Sequence, residues 1–415
     1  MPELYVAVLT GWIAVLVIRA TLSALDQWLP AWVALVVSRI VRRVLLLSGC
    51  AVLVILVGQL MPVLAEALPD ATRQPEVTPL SSAEQPQPTP VRVVASQSIP
   101  TRPRAPTQPA AIPSPPLTNL KRFPRPPGDN GRGLHWFPTT SQSPGVVDRF
   151  VPELVAMRIK WVAFAQGMED YHLHANEYLV RALVQNNIMP VMRVESPVGA
   201  LDLVRFERVV ALYRALGVMY IQIYNEPNLS KEWSDRKLGS PERFAAVWLE
   251  AAEIVVSHNA WPGLAAMSPQ GEQSDDEYVA RMFAALRTRK GTEVINRMWL
   301  SVHNYTGGTT GSIVADEIGY GRYRLYAQLS QSRLGWIVPM IGTEGGTPHA
   351  PAESQARWIV EAFRSLPQRE PYWLAYSPWL IGNTIGGGED PRWEPGSWFK
   401  PDHVEPVVDL VKQLP

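Results

Sequence analysis

From residue 131 onward the chain alternates between short apolar runs and longer amphipathic segments. The runs read as strands: GLHWFP (133–138), RIKWVAFA (158–165), IMPVMRVES (188–196) and VMYIQIYNEP (218–227). Four more follow at GLAAMSP (263–269), RMWLSVHNYT (297–306), WIVPMIGTEGG (336–346) and YWLAYSPWLIG (372–382). Segments between them, such as PERFAAVWLEAAEIVVSHN and SQARWIVEAFRSL, repeat their apolar positions at intervals of three and four. That is the period of a helix with one buried face. Gly217 and Gly335 stand where helix gives way to strand, and glycine readily takes the left-handed conformation that ends a helix. Eight strand–helix units in about 285 residues predict a (β/α)8 barrel. A doubly wound open sheet is the alternative, but no G-x-G-x-x-G follows the first run.

The first 67 residues have a different pattern. One apolar run covers Leu4 to Ile18 and extends through Arg19 towards Leu25; a second, Val44 to Leu64, is long enough to cross a bilayer. Arg39, Arg42 and Arg43 precede the second run, so the positive-inside rule places the loop between the two in the cytoplasm. Everything after residue 67 is then expected outside, tethered by N-terminal hydrophobic helices. A rival reading takes Arg42-Arg43, the apolar stretch and Ala65-Glu66-Ala67 as a signal peptide cleaved near Ala67, with secretion of the remainder. The stretch LSGC ending at Cys50 looks like a lipoprotein box, but the apolar run continues well beyond it. From residue 68 to 130 the composition shifts again: sixteen of the 39 prolines fall there, among Ser, Thr, Gln and Ala. Such a segment buries too little apolar surface to fold and reads as a disordered, proline-rich linker. The predicted domains are therefore 1–67, 68–130 and 131–415.

Charge and cysteine content exclude several classes. Lys plus Arg equals Asp plus Glu at 38 each, so no net field draws the chain to nucleic acid. A single cysteine allows no intrachain disulfide and no cysteine-based zinc site. Seven histidines show no spacing such as H-E-x-x-H, so neither a metal nor an organic cofactor is expected. Twelve of the fifteen tryptophans lie after residue 130, enough for both a core and flat surfaces that stack on sugars.

A (β/α)8 barrel places its chemistry at the C-terminal ends of its strands. Those ends carry His135 and Trp136, Gln166, Arg193 and Glu195, Asn225 and Glu226, Ser268, His303 and Tyr305, Glu344, and Trp379. Pro227 cannot donate to a sheet ladder, so it stops the fourth strand and presents Glu226 at its terminus. Glu226 and Glu344 then face each other across the barrel mouth. Two carboxyl groups flanking a bond are what glycoside hydrolysis requires.

Over residues 131–415 the chain resembles the clan A glycoside hydrolases, which include the cellulase-like family 5 and the family 39 enzymes. Asn225-Glu226-Pro227 matches their acid/base motif after strand four, and Thr343-Glu344-Gly345-Gly346 matches the nucleophile motif ending strand seven. His303-Asn304-Tyr305 matches a His-x-Tyr pair on strand six, and Trp379 a tryptophan near the end of strand eight. The resemblance implies a retaining glycoside hydrolase acting on an oligo- or polysaccharide, with Glu226 as acid/base and Glu344 as nucleophile. It implies that Tyr305 orients Glu344, that His303 binds a sugar hydroxyl or tunes the carboxylates, and that Asn225 binds the sugar 2-hydroxyl. Trp379 would offer a flat face to a pyranose ring, and His135 beside Trp136 would bind sugar; core packing is the alternative for each. One departure stands out. Many clan members carry an arginine on strand two, where WVAFAQG has none; Arg193 on strand three, paired with Glu195, is expected to stand in. Trp393 and Trp398, in the glycine-rich loop 386–398, form a further subsite or pin that loop. A non-catalytic carbohydrate-binding envelope protein and a transglycosylase using the same residues remain alternative functions.

Overall fold

The computed structural model describes residues 120–306 and 311–415. The apolar N-terminal runs, and the proline-rich stretch as far as residue 119, lie outside the described residues. Eight strands follow: β1 (Gly133–His135), β2 (Trp161–Gly167), β3 (Met189–Glu195), β4 (Tyr220–Ile223), β5 (Trp261–Leu264), β6 (Trp299–Tyr305), β7 (Met340–Gly346) and β8 (Trp373–Tyr376). They pair in parallel and in chain order. An Arg132–Tyr376 bridge brings β8 back to the start of the sheet. With the bond from Ile381 N to His135 O (2.9 Å), it makes a nearly closed (β/α)8 barrel. Nine helices are described: α1 (Pro144–Ala156), α2 (Glu177–Gln185), α3 (Leu203–Leu216), α4 (Pro241–Ser257), α5 (Asp275–Leu286), α6 (Glu293–Arg297), α7 (Arg322–Leu334), α8 (Ala352–Ser365) and α9 (Pro406–Lys412). Among the described residues no helix is long and apolar enough to cross a membrane.

Local sequence explains the helix ends. Ser143, Asp202 and Ser240 each accept a bond from a backbone N–H three residues on, which caps α1, α3 and α4. Pro144 and Pro241 then occupy first-turn positions where a missing N–H costs nothing. In α4 the residues Phe244, Trp248, Ala251, Ala252 and Val255 fall on one face and are buried. Gly217 and Gly335 end α3 and α7 at φ of 110° and 89°, the conformation expected of them.

Strand alternation divides the core in two. Residues such as Val162, Phe164, Met192, Val194, Ile221 and Val302 face outward and pack under the helices. Their neighbours Trp161, Val191, Tyr220, Trp299 and Ile341 face inward and fill the base of the barrel. One layer up, the interior turns polar but stays neutral: Ser301 donates to Gln222 (2.9 Å) and shares a bond with Thr343 (2.6 Å). The charged groups lie above these, at the C-terminal end.

The fold corrects three boundaries. The segment 120–130, read from composition as the end of a disordered linker, packs on the barrel. Phe123 is buried with the base layer, and Tyr220 donates to Pro124 O (2.8 Å). Asp129 accepts from Arg125, Arg369 and the Trp161 indole, each at 2.8 Å. One aromatic and one acid among the prolines are enough to anchor this stretch, which an average over composition conceals. Strand β4 stops at Ile223, before Asn225 and Glu226, because Tyr224 takes a φ of 67°. Strand β8 likewise ends at Tyr376, three residues before Trp379.

Phe123 closes the barrel base, so Phe123→Ala should cost about 3–5 kcal/mol in denaturant unfolding. A chain starting at residue 131 should melt below one starting at residue 118. Equal melting would show that the segment only rests on the surface.

Candidate active site

A cleft of about 400 Å³ opens at the C-terminal end of the barrel. Its walls come from the loop after β1 (Pro138, Thr139, Thr140), from β3 (Arg193, Glu195) and from the loop after β4 (Asn225, Glu226, Lys231, Glu232). Ala165, Tyr305, Glu344, Trp379 and Trp393 complete it. Backbone irregularity aims both central carboxylates. In the β6–β7 pairing, Val302 lies opposite Gly342 and His303 opposite Glu344, so Thr343 is an extra residue on β7. Such a bulge re-aims the residue after it. Thr343 thus bonds into the polar layer while Glu344 reaches the cleft. Glu226 itself sits at a φ of 35°, a conformation rarely adopted by side-chain-bearing residues. Strain of this kind concentrates at functional sites.

Glu344 is nine-tenths buried, and burial alone would push its carboxyl towards neutrality. The positive charges of His303 and Arg193, and the Tyr305 hydroxyl, outweigh burial and hold its pKa down at about 2. Arg193 bonds Glu344 through Nη1 and Glu195 through Nε, the latter at 2.6 Å. Tyr305 donates to the other Glu344 oxygen (2.8 Å). His303 spans the two acids, with Nδ1 2.9 Å from Glu226 Oε1 and Nε2 3.6 Å from Glu344 Oε1. Burial lowers the His303 pKa, but Glu344 and the bond to Glu226 more than reverse this, so it lies above the ordinary histidine value. The opposite holds at His135. Burial and then Arg193 pull its pKa down to about 3, which keeps the ring neutral. Its Nδ1 lies 2.8 Å from Trp136 O, the geometry of a donor, which leaves Nε2 as a buried acceptor without a partner among the described residues. Asn225 Oδ1 and Trp379 Nε1 are likewise buried and unpartnered.

The cleft thus brings together Arg193, Asn225, Glu226, His303, Tyr305, Glu344 and Trp379, with His135 beneath. Trp136 is not among them. It is fully buried in the outer core, edge-on to Phe137 at 5.2 Å. Consecutive strand residues point to opposite faces, so His135 and Trp136 cannot both enter the barrel. Trp379 lines the cleft but is only 5 % exposed, with His135 at 4.3 Å and Trp393 at 5.3 Å between ring centres. Trp393, at 39 % exposed, offers the more open aromatic face, whereas Trp398 is buried. Gln166 and Ser268 serve the loops instead. Gln166 bonds Asn176 and His172 O, and the Asn228 side chain clasps the Ser268 backbone. Sequence reasoning missed Thr139, Thr140, Lys231 and Glu232, which sit in aperiodic loops without a strand end to mark them. Among the described residues no group of His, Cys, Asp and Glu is arranged to hold a metal ion.

A (β/α)8 barrel with two carboxyl groups bracketing one imidazole at its mouth defines the chain as far as fold and site allow. No protein-family model matches it, and no curated protein matches it by sequence. Among solved structures it is similar to an endo-β-1,3-glucanase of glycoside hydrolase family 128 (subgroup II) from Sorangium cellulosum. The two share 16 % identity over 68 % of this chain and 98 % of the other, with a TM-score of 0.47. A family 39 glycoside hydrolase from Bacteroides cellulosilyticus matches at 10 % identity over 72 % of this chain and 66 % of its own, with a TM-score of 0.47. An endo-β-1,4-glucanase from Xanthomonas axonopodis matches at 11 % identity over 68 % and 97 %, with a TM-score of 0.44.

Arg193→Met leaves the Glu344 charge buried and short of one of its charged partners, which should cost about 3–5 kcal/mol at neutral pH. The pH dependence carries a sign. With a folded pKa of about 2, below the unfolded value of ~4.3, Glu344 contributes stability that is present above the unfolded pKa. That contribution is lost as pH falls through the folded one. The variant should therefore lose less stability than the parent between pH 5 and 2. Equal losses in denaturant melts would assign the acid sensitivity to other carboxylates.

Proposed function

We propose that the chain is a retaining glycoside hydrolase that cleaves a glycan by double displacement. The observation that carries this reading is the placement of Glu344, buried yet ionised, in one cleft with Glu226 across a shared histidine. Glu344 attacks the anomeric carbon while Glu226 protonates the departing oxygen; water, activated by Glu226, then releases the sugar. Arg193 and Tyr305 fix the Glu344 oxygens for attack. The unpartnered Asn225 Oδ1 and His135 Nε2 are acceptors suited to sugar hydroxyls, since buried polar atoms are seldom left unpaired. Trp393 supplies an open face for a pyranose ring.

The same reading places the barrel outside the cytoplasm, held by the apolar segments within residues 1–67. Protease added to intact cells should release a soluble fragment by cutting within 68–119. A fragment protected until lysis would place the barrel inside.

Glu344→Gln should abolish formation of the glycosyl–enzyme intermediate. Glu226→Ala should slow poor leaving groups by about 10²–10⁴-fold and activated aryl glycosides much less. Azide needs no general base, so it should partly rescue Glu226→Ala and yield a glycosyl azide of retained configuration. An inverted first product, read by NMR, would exclude double displacement. An acceptor sugar that outcompetes water would make the chain a transglycosylase using the same residues.

A further inference from the structure

We propose, on the reading of Glu226 as acid/base, that Lys231 and Glu232 are positioning residues whose opposite charges set the pH range in which Glu226 exchanges its proton. His303 Nδ1 engages Oε1 of Glu226, which leaves Oε2 as the oxygen free to serve the substrate. Lys231 Nζ lies 3.9 Å from that Oε2 and 3.7 Å from Glu232 Oε1, so one ammonium stands between two carboxylates. Both side chains line the cleft.

The turn that carries them is fixed on three sides. Glu272 accepts from Ser230 N (2.9 Å) and Ser230 Oγ (2.8 Å). Val198 N donates to Glu232 O (2.8 Å), and the Trp233 indole donates to Pro227 O (2.8 Å). The backbone that carries the two charges is therefore held beside Glu226.

Of the other charged or titratable groups, His303 and Tyr305 from β6 interact with Glu226, and Arg193 and Glu195 from β3 and Glu344 from β7 adjoin them. Those five are tied to one another around Glu344. Lys231 pairs with both Glu226 and Glu232, and Glu232 also feels the charges of Glu195 and Arg193. Burial, then the Glu226 charge, raises the Glu232 carboxyl above its usual range. Lys231 favours the Glu226 carboxylate and so assists proton donation to the leaving oxygen. Glu232 opposes that charge and so keeps the proton in place before the bond breaks.

The test titrates the Glu226 carboxyl by ¹³C NMR in the full chain labelled with [5-¹³C]glutamate, the signal being assigned by its loss in Glu226→Gln. Lys231→Met should raise the midpoint and Glu232→Gln should lower it. Each shift should be roughly half to one pH unit, since Lys231 is 63 % exposed and solvent screens such charges. Lys231→Arg should keep the parent value. Unmoved midpoints, or shifts of both variants in one direction, would overturn the proposal. The basic limb of kcat/KM on an aryl glycoside should follow the NMR midpoint. Opposed NMR shifts in a chain that hydrolyses no glycoside would preserve the charge pair and remove the catalytic reading. Hydrolysis with unmoved midpoints would do the reverse.

Discussion

A carboxylate held ionised in a nearly buried position is the constraint that organises the mouth of this barrel. Removing an ion of that kind from water costs several kcal/mol even after relaxation, and a single partner rarely repays it. Glu344 accordingly has three: Arg193 on one oxygen, Tyr305 on the other, and His303 within reach. Each partner then needs its own balance. Arg193 is largely withdrawn from solvent too, so it takes Glu195 as a second carboxylate, and His303 takes Glu226. Glu226 is thus placed by the same network that keeps Glu344 charged, which is economical for the two-carboxylate mechanism proposed.

The barrel interior is graded to support this. Its base is aromatic and dry, closed by Phe123 under Trp161, Tyr220 and Trp299. A neutral layer of Gln222, Ser301 and Thr343 follows, whose hydrogen bonds are satisfied internally. Charge appears only above it, where solvent can reach the cleft. A neutral polar layer between the two avoids setting an ion directly against hydrocarbon, where an unpaired charge is most costly.

Much of this could be read from the chain because parity and strand order carry so much information. His303 and Tyr305, two apart on one strand, had to share a face, and both contact the paired acids. The same rule turns Trp136, which follows His135 directly, away from the cleft and into the outer core. Other features had no linear signal. The extra residue at Thr343 depends on how β7 pairs with β6, and the left-handed Tyr224 and Glu226 depend on what surrounds them. Trp379 is at the mouth as its position suggested, yet it packs against His135 and Trp393 and is nearly buried, a matter of packing between distant loops. Phe123 was hidden by the prolines around it.

This distribution separates stability from chemistry along the barrel axis. The base tolerates no change of volume, since its aromatic groups are close-packed and any deletion leaves a cavity. The mouth carries features that lower stability by themselves: a left-handed glutamate, buried ions and unpartnered acceptors at Asn225 and His135. A fold can hold such features only where the rest of the structure over-determines them. Here the strands that end in Arg193, His303, Tyr305 and Glu344 begin in or beside the packed base layer. The positions of the charged side chains are therefore inherited from strands whose other ends cannot move.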